Sequence, residues 1–99
     1  MYGADVHILL LIYKLHISHA QSLKDKRRVI KGLKDRLSSR FNISIAELGE
    51  LDNWKQSVIG ITMIANDRKY LDGQASHIES IILEVRDIEL VTVSKEWLQ

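Results

Sequence analysis

Hydrophobic and polar positions fall into blocks of two different periods along this chain. From Val6 to Ile17 almost every position is aliphatic or aromatic (VHILLLIYKLHI), too continuous for a helix with a polar face, which predicts a first strand. Ser18 to Gln21 connects it to a stretch in which Val29, Ile30, Leu33 and Leu37 recur at helical spacing. Ser22 stands before that stretch as a good N-cap, with Asp25 three residues on in a capping-box position, so Ser22 to Arg40 reads as one amphipathic helix with Asn42 ending it. Ile43 to Leu48 reads as a second strand, Gly49 to Asn53 as a turn, and Gln56 to Ala65 as a third strand, together a hairpin. Asn66 or Asp67 then caps a second helix whose stripe is Leu71, Ala75, Ile78, Ile82 and Val85, with Gly73 a weak point inside it. A last strand runs from Ile88 to Trp97. The order β-α-β-β-α-β predicts the ferredoxin-like α+β fold, a four-stranded antiparallel sheet with both helices on one face.

Two helices cover one side of such a sheet, yet the central strands are apolar on both. Leu9, Leu11 and Tyr13 alternate with Ile8, Leu10 and Ile12, and Val58 and Ile64 alternate with Ile59, Ile61 and Met63. A bare aliphatic face of that size is an association surface unless strand ends or loops cover it. Ile8, Leu10 and Ile12 are therefore the expected interface of a homo-oligomer, a dimer at its simplest. Stacking nucleobases on this face, as RNA-recognition motifs do, is disfavoured, because the third strand has no aromatic residue and the first offers only Tyr13.

Ninety-nine residues of ordinary globular composition predict one domain, 1–99. The absence of cysteine excludes disulfides, thiolate metal sites and a cysteine nucleophile. The longest apolar run, Ile8 to Tyr13, is far too short to span a bilayer, and nothing resembles a cleavable signal peptide. The expectation is a soluble, cytoplasmic protein with no membrane association.

Charge changes the picture more. The overall +1 hides a segregation: Ser22 to Arg40 holds eight of the fourteen basic residues against two acidic ones, a local +6, and the remainder, with six basic and eleven acidic residues, carries −5. A basic helix on an acidic domain is an electrostatic footprint for a polyanion. Lys24, Lys26, Arg27 and Arg28 crowd the first two turns, where cations oppose the helix dipole, and together with the first-turn N–H groups they offer a cradle for phosphate or carboxylate. Helical angles set Arg27, Lys31 and Lys34 on one flank of the apolar stripe, Arg36 and Arg40 on the other, and Lys24 and Arg28 outward. Lys26 points into the stripe, as the partner of an inward carboxylate such as Glu47. The candidate nucleic-acid or anion contacts are thus Lys24, Arg27, Arg28, Lys31 and Lys34. The competing reading of the whole run is a solvated amphipathic helix.

The string SLKDKRRVIKGLKDRL, followed by Arg40-Phe41-Asn42, Ser44-x-Ala46-Glu47, Asp52-x-Trp54 and Gly60, resembles the YlxP-like family of small bacterial proteins, a domain of unknown function. The resemblance runs from about position 6 to 98. It implies a ferredoxin-like fold, no assigned activity and no catalytic residues. Members are often encoded near translation-initiation and ribosome-maturation genes, which implies an RNA or ribosome partner by association.

The remaining polar residues support no chemistry of their own. His16 and His19 lack acidic or sulfur companions, so no metal site is expected. Glu47, Glu50 and Asp52 read as a solvated hairpin rather than a catalytic pair. Trp54 reads as a hairpin anchor packed on the core or as an exposed partner contact. Ser18, Ser22 and Ser44 have no triad context. Acylphosphatases share this element order but use a Gly-rich, Arg-containing loop where this chain has Ser18-His19-Ala20-Gln21, and no P-loop or dinucleotide fingerprint occurs. Neither a cofactor nor a small-molecule substrate is expected, and enzyme activity is not. Two functions remain: an RNA-binding or ribosome-associated accessory protein acting through the basic helix, or a dimeric interaction module whose basic helix meets an acidic protein surface.

Overall fold

Every second side chain of β1 (His7–Ile17) is buried, namely Leu9, Leu11, Tyr13, Leu15 and Ile17, while the residues between them keep part of their surface open. The computed structural model describes residues 5–99; Met1 to Ala4, part of the expected 1–99 domain, lie outside the described residues. After β1 come α1 (Leu23–Arg40), β2 (Ser44–Gly49), β3 (Gln56–Ala65), α2 (Arg68–Glu84) and β4 (Ile88–Trp97). The strands form one antiparallel sheet in the order β2-β3-β1-β4, which is the ferredoxin-like arrangement.

One core joins the sheet to both helices. It gathers the buried side of β1, Ile59, Ile61 and Met63 of β3, Ile30, Leu33 and Leu37 of α1, and Leu71, Ala75, Ile78, Ile81 and Ile82 of α2. Phe41 closes the far end of α1 and meets the His77 ring edge-on at 5.2 Å, tying the two helices together. The other face of the sheet, with Ile8, Leu10 and Ile12 in the middle, is covered by neither helix.

Local boundaries moved where backbone hydrogen bonding outweighed pattern. Ser22 Oγ accepts from Asp25 N at 3.1 Å, but Asp25 returns its carboxylate to Gln21 N, one residue before the cap. Asp67, not Asn66, caps α2, accepting from Lys69 N and Tyr70 N. Phe41 rather than Asn42 ends α1, and Val85 is the C-cap of α2 instead of a member of its stripe, where Ile81 joins Ile82. β2 and β4 each carry a register shift, at Leu48 and Val91, which twists these two edge strands. No helix among the described residues is long and apolar enough to cross a membrane.

Two predictions follow from this packing. A Cβ on Gly73, inside α2, would meet nothing within 4 Å, so Gly73→Ala is expected to raise urea-unfolding stability by about 0.5–1 kcal/mol. The Tyr13 phenol is buried in the core face, and burial, reinforced by the Glu79 charge, raises its pKa well above the ordinary 10.0. A raised value in the folded state means that ionisation opposes folding: the contribution is complete below pH 10 and is lost as pH rises toward the folded value. The wild type should therefore lose up to about 1.4 kcal/mol per pH unit above pH 10 relative to Tyr13→Phe, read from paired denaturation curves.

Candidate functional site

The basic helix is held to the sheet by its one inward cation. Lys26 is fully buried, and its ammonium lies 3.0 Å from Glu47 Oε2 while donating to the backbone oxygens of Glu50 at 2.6 Å and Gln56 at 3.0 Å. The Leu51 backbone oxygen lies at 3.5 Å as a fourth and weaker acceptor, so all three donors of the ammonium are met. Glu47 Oε2 also accepts from Ser57 Oγ at 2.6 Å, and among the described residues no buried side-chain polar atom lacks a partner. The inward orientation of Lys26 and its pairing with Glu47 were legible in the helical angle and the strand alternation. Ser57 was missed; its signal was a lone polar residue in phase with Ile59, Ile61 and Met63.

This clamp fixes which side of α1 faces water. Lys24, Arg27, Lys31 and Lys34 follow one another at three- and four-residue steps and so form a single ridge about 15 Å long. Lys24, Arg27 and Lys31 are exposed and Lys34 is half-buried at the edge of the stripe. Lys31 pairs with Asp35 at 2.6 Å across a fully wet surface, a contact of little energetic weight. The other three have no salt-bridge partner among the described residues.

Arg28 is exposed, as its helical angle predicts. It lines the groove between the helices with Val29, Gly32, Arg36, Val85 and Asp87, and in that groove's neighbourhood Arg36 reaches Glu84 at 3.4 Å. At the start of α1 carboxylates stand beside the cations. Ser22 Oγ occupies Asp25 N, the Asp25 carboxylate takes Gln21 N, and the adjoining cleft of about 230 Å³ is lined by Asp25 and Asp87 beside Arg28 and His19. An incoming anion would meet two carboxylates there.

Trp54 is 42% exposed, with Lys55 Nζ 5.3 Å from its ring centroid, so it is no core anchor. Lys26 holds Glu50 and Gln56 on either side of it, which places Trp54 at the same end of the molecule as the first half of α1. The turn is shaped by Asn53, which donates to Glu50 Oε2 and accepts from Lys55 N, both at 2.9 Å, and by the positive φ of 59° at Glu50. Glu47 and Glu50 are thereby committed to structural partners. Among the described residues no three His, Cys, Asp or Glu side chains converge as a metal site would require; His16 instead approaches Glu89 at 3.6 Å.

Residues 8–95 match the family described as "Protein of unknown function (DUF503)". The chain is 32% identical over 81 residues to "Uncharacterized protein YlxP" of Bacillus subtilis (strain 168), an alignment spanning 82% of this chain and 88% of that one. Its fold is similar to "De novo designed protein Foldit4", with a TM-score of 0.52 at 13% identity, over 91% of this chain and 96% of the design.

Removing the clamp tests its weight. Lys26→Met leaves Glu47 and the backbone oxygens of Glu50, Leu51 and Gln56 without their donor, and is expected to cost about 3–5 kcal/mol in chemical denaturation. Adding Glu47→Gln should return part of that loss; strict additivity of the two changes would mean that the ammonium and the carboxylate do not act together.

Proposed function

For a chain that belongs to the DUF503 family, we propose a non-enzymatic, cytoplasmic role as an RNA-binding or ribosome-associated accessory protein. The observation that carries this reading is the ridge of Lys24, Arg27, Lys31 and Lys34, turned outward by Lys26 and almost free of intramolecular ion pairs among the described residues. A row of mobile cations on a rigid helix tracks a phosphate backbone without reading bases, so recognition is electrostatic and depends on RNA shape. The open sheet face supports this division of labour. Ile8, Leu10, Ile12, Val58, Gly60, Thr62 and Ile64 share that face by register and offer no aromatic ring for a base to stack on. Exposed Trp54, at the same end as the helix start, adds a possible contact for an unpaired base or a protein partner.

The second reading, an acidic protein surface as partner, draws on the Arg36 and Glu84 pair, which shows this helix already engaging a carboxylate of α2. Ionic strength and competition separate the two.

Fluorescence anisotropy with structured and single-stranded RNA should give binding that weakens with salt at a log–log slope near about −3 for four neutralised phosphates. The triple variant Lys24→Glu, Arg27→Glu, Lys31→Glu should bind at least about a hundredfold more weakly with an unchanged circular-dichroism spectrum, because all three side chains lie off the core. No RNA binding at low salt would sink the RNA reading and leave the acidic protein partner.

A further inference from the structure

Two identical surfaces pack through a two-fold axis only if one face carries both a projection and a recess. The open sheet face carries both. β1 projects Ile8, Leu10 and Ile12 at successive outward positions, a ridge about 13 Å long. Beside it runs a lane of small side chains set by register: Leu10 pairs with Thr62 and Thr62 with Ser44, while Ile12 pairs with Gly60 and Gly60 with Ala46. On the other side Leu10 pairs with Glu96 and Ile12 with Ser94 of β4. A concavity of about 300 Å³ opens at one end of the lane, where Ile8, Ser44, Thr62 and Ile64 contribute to its walls. At the other end Leu48 lies over Gly60, so closely that any Cβ on Gly60 would collide with it, which fills the lane there and leaves the Thr62–Ser44 end as its open part.

We infer that the occupant of this face is a second copy of the chain, with the β1 ridge of each protomer seated in the small-residue lane of the other. The footprint is adequate: four strands about 4.8 Å apart and some ten residues long present roughly 600 Å² in plan, close to the ~800 Å² per partner of a standard interface. Charge is self-complementary as well. Lys14 and Glu96 sit on this face with no ion-pair partner among the described residues, and His16 and Glu89 lie beyond them, so each copy presents both signs to the other. A polyanion would gain nothing from so balanced a surface, and a lipid bilayer would have to take up Lys14 and Glu96. Exposure of Ile64 and Leu48, 61% and 55% in the single chain, is then relieved by association. In the resulting α-β-β-α sandwich the helices face outward, and the two α1 ridges stand on opposite outer surfaces. The inference is independent of whether those ridges bind RNA.

Sedimentation equilibrium at tens of micromolar should give twice the 11.4 kDa protomer mass. Leu10→Asp with Ile12→Asp should be monomeric. Since those side chains are half-buried, the decisive variant is Ser44→Arg with Ala46→Arg, at exposed positions in the lane, which should fold normally and weaken the dimer at least about tenfold. Val93→Arg, on the helix side of the edge strand β4, should leave it unchanged. A monomeric wild type would overturn the inference, as would a dimer indifferent to the lane variant or one dispersed by Val93→Arg instead.

Discussion

A single buried ammonium decides how the two halves of this domain meet. Lys26 enters the core at the point where α1 crosses the β2–β3 hairpin, and its contacts join a helix, a strand carboxylate and a turn backbone that pattern alone leaves independent. Burying a charge costs several kcal/mol unless every donor is met, so the clamp tolerates only one rotation of α1 about its axis. That rotation turns Lys24, Arg27, Arg28 and Lys31 to water, leaves Lys34 half-buried at the edge of the stripe and sets Arg28 and Arg36 along the inter-helix groove. The basic surface is a consequence of the clamp, not of charge density alone.

The same economy of elements leaves a sheet face uncovered. Two helices reach the inner side of the sheet, and no further element of the described chain lies over Ile8, Leu10 and Ile12. A four-stranded sheet with aliphatic residues on both sides is a half-built sandwich, and its completion by another copy would put both helix layers outside. The proposed RNA contact on the helix layer and association on the sheet layer would then occupy opposite sides of the protomer, so neither need compromise the other.

Legibility in the sequence followed the range of the interaction. The limits of β3 and β4 and the N-cap of α1 were readable because each rests on alternation or on a side chain bonding a backbone group three residues away. Lys26 was readable as inward, and Glu47 as its partner, because helical angle and strand alternation both converge on the core. Ser57 was not, since its role exists only once Glu47 is brought opposite it across the hairpin. Trp54 was left open between a packed anchor and an exposed contact, because a turn aromatic's packing depends on which elements the tertiary fold brings beside it; the structure leaves the ring partly in water.

What the residues determined by themselves was the sequence of elements, the one-sided coverage of the sheet and the segregation of positive charge onto α1, all of which depend on periodicities of two and 3.6 residues. Tertiary structure alone decided what each cation lies beside: Arg36 meets Glu84, exposed Arg28 lines a groove with Asp87, and Lys34 is half-buried at the edge of the stripe. It also brought Asp25 and Asp87, sixty-two residues apart, to line one cleft beside Arg28 and His19 at the start of α1. Charge effects of that kind depend on distance through space, which chain position does not encode.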